Sequence, residues 1–251
     1  MTLSQLVLWS QQQSARLLSG MQSCCALCGR SGKQVLCDGC RQQYFSQHPP
    51  RCSQCASALP RIDSAAPEVC GDCLKQRRAF DATIVAIDYA APVDQLVLAL
   101  KFGAQLALPP VFARLLRDAM LRQPAMSANM PDLLTAVPLG THRLRERGFN
   151  QALEIAKPLS RMLGVPLRHD LVQRQRDTQA QAQLDPDERR RNLRKAFVVP
   201  AQSIAQIRGC HIGVVDDVIT TGETLHELAR TLKRYGAKRV TNFVFARTPP
   251  K

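Results

Sequence analysis

The sequence has few aromatic residues, no long apolar segment and no recognisable export signal. Aromatic residues make up 5% of the 251-residue chain, so an aromatic stacking surface for single-stranded nucleic acid would have few members. No apolar run approaches the roughly 18 residues that a membrane-spanning helix requires. Residues 1–20 lack a basic stretch before their short apolar patch, which is atypical of a secretory signal. We therefore expect no membrane span, and we expect residues 1–20 to form an amphipathic helix that packs on the rest of the chain rather than on a membrane.

Acidic residues are also scarce relative to basic ones. The chain has 34 lysines and arginines against 20 aspartates and glutamates, which gives a formal net charge of +14 and a pI near 9.8. Such an excess favours polyanionic ligands, among them phosphates, nucleotides and nucleic acids. The length allows one large domain or two smaller ones.

Cysteine, in contrast, is abundant and confined to one region. Nine of the ten cysteines lie between residues 24 and 73, where the lack of an export signal argues against a disulfide scaffold. Eight of them form Cys-x-x-Cys pairs, namely Cys25/Cys28, Cys37/Cys40, Cys52/Cys55 and Cys70/Cys73. Because two such pairs complete a tetrahedral zinc site, four pairs predict two structural zinc ions.

The four pairs can combine in more than one way. Sequential pairing, the first with the second and the third with the fourth, closes the shortest loops, and interleaved pairing stays open on spacing alone. Cys24 is a neighbour that could replace Cys25 as a ligand. Because four thiolates leave no position for water, we expect both sites to be structural, and the segment to need zinc in order to fold.

The stretch HIGVVDDVITTGET, residues 211–224, combines two kinds of polar residue at the end of an apolar run. Residues 212–215 are typical of a buried strand, and a helical pattern begins at Thr224. The stretch lacks the lysine of a P-loop and the glycine spacing of a dinucleotide fingerprint. N–H groups at a helix start and threonine hydroxyls suit a phosphate, whereas Asp216 and Asp217 suit hydroxyl groups or Mg²⁺. The stretch therefore predicts a site for a phosphorylated sugar.

Strands and helices alternate from Phe80 onward, which predicts a parallel sheet with helices on both faces. The segment THRLRERGFNQA follows a predicted strand and places Arg143, Arg145 and Arg147 in a loop before a helix start. Basic residues beside a helix N-terminus attract polyanions. If the strands are parallel, this loop lies at the same edge of the sheet as the acidic pair.

Residues 174–197 are polar throughout except for a few positions. Asp185 precedes a proline and is followed three residues later by a glutamate, a pattern typical of a capped helix start. A long polar segment inside a compact domain is usually functional or mobile.

Taken in order, the four Cys-x-x-Cys pairs and the segments RLRERGFNQA, RDTQAQAQL, RRRNLRKAF and VVDDVITTGET resemble the ComF/GntX family of competence-associated proteins. The resemblance covers nearly the whole chain after residue 23. It implies an α/β fold, a doubly wound parallel sheet of the type I phosphoribosyltransferase kind, with a small N-terminal cysteine-rich double zinc ribbon. Together with the residue pattern of the N-terminus, it predicts three domains: the amphipathic helix at 1–20, the double zinc ribbon at 21–79 and the phosphoribosyltransferase-like domain at 80–251. It also implies a bacterial cytoplasmic protein linked to natural competence, the uptake or utilisation of external DNA.

The resemblance further implies how phosphoribosyl pyrophosphate would be bound with Mg²⁺. Asp216 and Asp217 would hold the ribose hydroxyls, and Arg143, Arg145 and Arg147 would lie near the pyrophosphate. The phosphate loop, which would hold the 5′-phosphate, consists of Thr220, Thr221, Gly222, Glu223 and Thr224. Glu223 departs from the small residue of many members, and its carboxylate must point away from the phosphate. The polar segment 174–197 would be a lid that closes over the reacting centre.

The implied activity is that of a glycosyltransferase, which moves phosphoribose to an unknown acceptor. No segment predicts a hood that selects an acceptor base, so ligand binding is better supported than catalysis. The alternative is a non-catalytic adaptor of the DNA uptake machinery that senses phosphoribosyl pyrophosphate or binds single-stranded DNA. A further alternative makes the cysteine-rich module a docking surface for other proteins of that machinery.

Overall fold

The computed structural model describes residues 23–60, 69–123, 129–175 and 196–249. The helix expected at residues 1–20, most of the predicted lid and the helix start expected at Asp185 lie outside the described residues. The chain divides into two compact units between Gln47 and His48. The second group of Cys-x-x-Cys pairs thus belongs to the same unit as the predicted sheet.

The first unit is small and contains two of the four cysteine pairs. In chain order it has strand β1 (Ser23–Cys24), strand β2 (Ser31–Gly32) and helix α1 (Asp38–Phe45). The two strands pair antiparallel, and the thiol of Cys37 caps α1 by accepting a hydrogen bond from the backbone N–H of Cys40. Apart from cysteines, the buried apolar residues described in this unit are Leu36 and Phe45. A core of this size needs a further stabilising element such as a bound metal.

A parallel sheet is the centre of the second unit. The strands of the second unit are, in chain order, β3 (Ala82–Asp88), β4 (Leu133–Ala136), β5 (Gln173–Arg174), β6 (Phe197–Val198), β7 (His211–Ile219) and β8 (Arg239–Arg247). Among the described residues, β3, β8, β7 and β4 form one sheet in that spatial order, and each pair is parallel. Consecutive residues are buried along β3, β7 and β8, which means that both faces of the sheet are covered. The predicted α/β fold is confirmed.

The second unit also contains helices, three of which have extensive contacts with the sheet. The helices are α2 (Gly71–Lys75), α3 (Val93–Gly103), α4 (Pro109–Leu121), α5 (Thr141–Arg147), α6 (Gln151–Leu163), α7 (Ile204–Ile207) and α8 (Glu223–Arg234). Helices α4 and α6 pack on each other and on the sheet, where the rings of Phe112 and Phe245 stack with centroids 3.6 Å apart. Helix α8 packs against β8. None of the helices in the described part of the chain is long and apolar enough to cross a membrane.

Two segments near the predicted site differ from the sequence-based expectation. The apolar pattern predicts a strand that ends at Val215, but β7 continues through the acidic pair to Ile219, because β8 pairs with it as far as Arg247. The basic segment predicted as a loop is instead helix α5, because arginine, leucine and glutamate favour helix. Gly148 ends this helix in the left-handed conformation, with φ of 75°.

Candidate functional site

A pocket opens at the carboxyl ends of β4 and β7, where parallel sheets commonly bind ligands. It has a volume of about 240 Å³, and α3, α5, α8 and β7 contribute to its walls. The sequence-predicted ligand residues that line it are Asp216, Asp217, Thr220, Thr221, Gly222, Glu223, Thr224, Arg143 and Arg147. Arg145, on α5, is not among the described lining residues. The fold thus brings the acidic pair, the phosphate loop and two arginines into one cavity.

The phosphate loop connects β7 to α8. Its glycine, Gly222, has φ of 79° and ψ of 6°, in the left-handed region that glycine adopts without steric cost. No side chain among the described residues caps the start of α8, and an uncapped helix start binds anions readily. A Cβ atom on Gly222 would lie 3.4 Å from Cδ1 of Ile219, so the loop also packs tightly on the end of β7.

The acidic pair lies beside this loop. The Oδ1 atom of Asp216 accepts a hydrogen bond from the backbone N–H of Asp217 at 2.9 Å. Burial and, next, the charge of Asp217 raise the pKa of Asp216 to about 8. Asp216 therefore holds its proton more strongly than an ordinary aspartate, and in the protonated form it can donate as well as accept hydrogen bonds.

Lys101 of α3 is a candidate functional residue that sequence analysis missed. Its Nζ lies 3.0 Å from Oδ2 of Asp217, and the two side chains are 22% and 12% exposed. Lys101 also lines the pocket, so the ion pair belongs to the pocket wall. In the sequence, Lys101 is only a polar position after the buried Leu100, and no local motif marks it. The packing of α3 alone brings it to β7.

Three arginines supply the rest of the positive charge among the described lining residues. Arg143 and Arg147 come from α5, and Arg174 comes from β5. The guanidinium carbon of Arg147 lies 5.3 Å from the centroid of the Phe102 ring, and its Nε is buried without a hydrogen-bond partner among the described residues. Sequence analysis placed Arg174 only at the start of the polar segment and missed its position in the pocket.

Asn150 holds the loop after β4 against the start of α6. Its Nδ2 donates to the carbonyl of Val137 at 3.0 Å, and its Oδ1 accepts from the N–H of Ala152 at 3.0 Å. Val137 and the next two residues line the pocket, so this side chain stabilises the wall near the arginines.

The charges of the pocket are mixed. The described lining residues include four cations and three acidic side chains, namely Lys101, Arg143, Arg147 and Arg174, and Asp216, Asp217 and Glu223. The carboxylate of Glu223 pairs with Arg78, at 2.8 Å. The remaining arrangement suits a ligand with anionic groups at two places and hydroxyl groups between them.

The eight cysteines of the Cys-x-x-Cys pairs form two groups. In each group the four sulfur atoms lie within 4.8 Å of one another, and the groups are Cys25, Cys28, Cys37, Cys40 and Cys52, Cys55, Cys70, Cys73. The pairing is therefore sequential rather than interleaved. Cys24 is exposed and belongs to neither group as described.

Both groups fit a tetrahedral metal ion. The sulfurs of Cys28 and Cys37 are 3.8 Å apart, and those of Cys55 and Cys70 are 3.5 Å apart. A tetrahedron with zinc–sulfur bonds of about 2.3 Å has an edge of about 3.8 Å. The backbone N–H groups of Cys55 and Cys70 donate to the sulfur of Cys52 at 3.5 and 3.3 Å. Such bonds stabilise the thiolate form of cysteine, which is the form that binds a metal.

Comparison with known proteins shows similarity over most of the chain. A family model described as the phosphoribosyl transferase domain matches residues 150–251. Competence protein F of Haemophilus influenzae is 34% identical over 219 residues, which cover 86% of this chain and 91% of that protein. DNA utilization protein YhgH of Escherichia coli strain K12 is 34% identical over 226 residues, which cover 85% of this chain and 97% of that protein. Competence protein ComFC of Bacillus subtilis is 33% identical over 117 residues, which cover 46% and 45%.

Solved structures show weaker similarity. A purine phosphoribosyltransferase from Pyrococcus horikoshii has a TM-score of 0.30 and 19% identity, and the match covers 64% of this chain and 74% of that chain. The glutamine phosphoribosylpyrophosphate amidotransferase of Bacillus subtilis has a TM-score of 0.35 and 20% identity, and the match covers 55% of this chain and 26% of that chain. Similarity at this level carries no information about the site.

Proposed function

The chain belongs to the ComF/GntX family of competence and DNA-utilisation proteins, and on that basis we propose that its pocket binds phosphoribosyl pyrophosphate with Mg²⁺. The observation that carries the proposal is the meeting of the phosphate loop, the acidic pair and four cationic side chains in one cavity. A simple phosphate would need only the loop. Ribose hydroxyls account for the acidic pair, and a second anionic group, the pyrophosphate, accounts for the cations.

Each part of the ligand has a matching part of the pocket. The 5′-phosphate binds the start of α8 and the hydroxyls of the phosphate loop, because both offer hydrogen-bond donors to an anion. The ribose hydroxyls bind Asp216 and Asp217. The pyrophosphate lies near Lys101, Arg143 and Arg147, whose charges oppose its own.

The reaction that suits this arrangement is phosphoribosyl transfer. A nucleophile bonds to C1 of the ribose while the bond from C1 to the pyrophosphate oxygen breaks, and the bonding electrons leave with the pyrophosphate. Lys101 and the arginines stabilise the charge of the departing group, and the acidic pair and the phosphate loop hold the ribose in one orientation. Mg²⁺, when bound, neutralises further charge on the pyrophosphate.

We also propose that each cysteine group holds one structural zinc ion. Four thiolates around one ion are typical of structural zinc sites, and they leave no position for a reacting water. Elemental analysis of protein purified without chelators should therefore find two zinc ions per chain. A value near zero in folded protein would contradict this assignment.

The test of ligand binding is titration calorimetry with phosphoribosyl pyrophosphate and Mg²⁺. We expect wild type to bind, and the Asp216→Asn/Asp217→Asn variant to bind at least about tenfold more weakly, a loss of about 1.4 kcal/mol. The matched control is Asp94→Asn/Asp170→Asn, which removes the same number of carboxylates outside the pocket lining. A wild type that does not bind, or a control that loses as much affinity, would remove the basis of the proposal.

Catalysis is tested separately from binding. A transferase releases pyrophosphate when the correct nucleobase, nucleoside or nucleic acid is supplied, and the release depends on Mg²⁺ and on the acidic pair. Tight ligand binding with no release for any acceptor would favour the second candidate, a non-catalytic sensor of the same ligand.

A role in the use of external DNA is supported by the names of the relatives and by the net charge of +14. We propose that the protein contacts single-stranded DNA through its basic surface. Because such contacts release counterions, the affinity for an oligonucleotide should fall steeply between 50 and 200 mM salt, by about 10³-fold or more if six phosphates are contacted. Salt-independent binding, or none at low salt, would rule out this role.

A further inference from the structure

The carboxylate of Glu223 is the feature of the phosphate loop that the proposed ligand does not explain. Glu223 is the first residue of α8, where a phosphate would approach the helix start, and like charges repel there. Its Oε1 lies 2.8 Å from Nη1 of Arg78, and the two side chains are 13% and 11% exposed. The charge of Glu223 is thus opposed by a residue 145 positions earlier in the chain.

Arg78 lies in the segment that leaves the second cysteine group. Cys73, the last cysteine of that group, precedes it by five positions. The next residue, Ala79, donates its backbone N–H to Nδ1 of His226 at 3.1 Å. His226 is one turn along α8 from Glu223, so consecutive residues of the segment bind consecutive turns of the helix that follows the phosphate loop.

The cysteine group also holds the far end of this segment. Gln54, which lies inside the turn from Cys52 to Cys55, donates from Nε2 to the carbonyl of Phe80 at 3.2 Å. Phe80 is 1% exposed, and its Cζ lies 3.8 Å from the position that a Cβ on Gly222 would occupy. Contacts therefore run without a gap from the second cysteine group to the phosphate loop.

We propose that Arg78 is a positioning residue of the phosphate loop, which holds the carboxylate of Glu223 away from the ligand so that the loop accepts a phosphate monoester. The identity of the ligand rests on the proposed function, but the inference goes further because it makes the second cysteine group part of the scaffold of the phosphate site. The guanidinium group has the geometry for this task, since its planar array of donors matches a carboxylate. Without it, a largely buried carboxylate would lose this ion pair while a phosphate binds beside it.

The test uses titration calorimetry with two ligands, phosphoribosyl pyrophosphate with Mg²⁺ and ribose 5-phosphate alone. The variants are Arg78→Met, Arg78→Lys, Glu223→Gln and Arg78→Met/Glu223→Gln. We expect Arg78→Met, which keeps the apolar stem, to weaken both ligands at least about tenfold, and Arg78→Lys to lose less because it keeps the charge. Glu223→Gln should bind both ligands more tightly than wild type, because it removes a negative charge beside the phosphate. The double variant should return to within about threefold of Glu223→Gln.

The double variant distinguishes positioning from a merely structural role. If Arg78 served only to hold the fold together, removal of the Glu223 charge would not restore binding. Thermal unfolding and zinc content of each variant report the fold directly. If Arg78→Met does not fold, affinity in Arg78→Lys/Glu223→Gln equal to that in Glu223→Gln supports the proposal, and a loss that persists there overturns it.

The two ligands separate this inference from the proposed function. Binding of phosphoribosyl pyrophosphate that is unchanged in Arg78→Met overturns the inference and leaves the proposed function intact. If wild type binds ribose 5-phosphate but not phosphoribosyl pyrophosphate, and the variants follow the expected pattern, the proposed function is overturned and the inference about Arg78 stands. A wild type that binds neither ligand overturns both.

Discussion

Two carboxylates and one ammonium group share a small volume at the end of β7. Lys101 pairs with Asp217, while Asp216 retains a raised pKa because it is buried and next to a like charge. The charge of Lys101 acts in the opposite direction and lowers the pKa of Asp216. The pKa of Asp216 is therefore set mainly by burial and by Asp217, and in smaller part by Lys101, a residue that no sequence motif identifies.

At the residue scale, we expect Lys101→Met to weaken the binding of phosphoribosyl pyrophosphate about tenfold at pH 7.5 and to change its pH dependence. If the ligand favours ionised Asp216, binding lowers the pKa of that group, so wild-type affinity rises with pH until about pH 8 and then levels off. Loss of the Lys101 charge raises the pKa further, so in the variant the rise should continue to higher pH. Calorimetry between pH 7 and 9 measures this, a range in which phosphate groups are already ionised.

The matched control is Lys157→Met, because Lys157 pairs with Glu154 on the surface of α6 and does not line the described pocket. It should have wild-type affinity and the wild-type pH profile. Identical profiles for Lys101→Met and wild type would show that the ion pair with Asp217 has no part in ligand binding.

At the scale of elements, the start of α8 depends on one backbone conformation. Gly222 is held at a φ of 79°, and a residue with a Cβ in this region costs about 1–2 kcal/mol. We expect Gly222→Ala to lower the free energy of unfolding by about that amount and to weaken ligand binding at least about tenfold, because the loop must change shape to relieve the strain. Urea unfolding and calorimetry measure the two effects.

Gly164 offers a close comparison at the other end of a helix. It follows α6 with a φ of 68°, and a Cβ there would meet nothing within 4 Å. Gly164→Ala should have a similar cost in stability without a loss of affinity. Equal losses of affinity in the two variants would mean that the phosphate loop has no special role.

Elements that depend on local pattern were predictable, and those that depend on neighbours were not. The apolar run before Asp216 marks β7 because β-branched residues favour a buried strand. Its extension to Ile219 comes from pairing with β8, which lies beyond the reach of a local pattern. The segment of α5 was predicted to be a loop because its arginines suit a ligand, although its arginine, leucine and glutamate residues favour a helix.

At the scale of the whole molecule, the two cysteine groups fall into different compact units. The second group contacts the phosphate loop through residues 78–80, whereas the first belongs to the unit that ends at Gln47. We expect Cys55→Ser and Cys28→Ser each to lose about one zinc ion per chain, because three remaining thiolates bind zinc more weakly. Only Cys55→Ser should weaken phosphoribosyl pyrophosphate binding, by about tenfold or more.

The two substitutions are matched, since each removes the second cysteine of the first pair in its group. Elemental analysis gives the zinc content, and calorimetry gives the affinity. Equal affinities in the two variants would show that the second cysteine group does not support the phosphate site. A loss in Cys28→Ser alone would reverse the assignment of the groups.

The residue sequence by itself determined the parts of this protein whose chemistry is local. The acidic pair and the phosphate loop lie within nine consecutive residues, and each cysteine pair spans one turn, so their spacing alone predicts their ligands. Only the tertiary structure shows which cysteine pairs share a metal site. It also shows that Lys101 and Arg174 line the pocket and that Arg78 forms an ion pair with Glu223. These are contacts between residues far apart in the chain, and they depend on how helices and loops pack on the sheet, which no local pattern encodes.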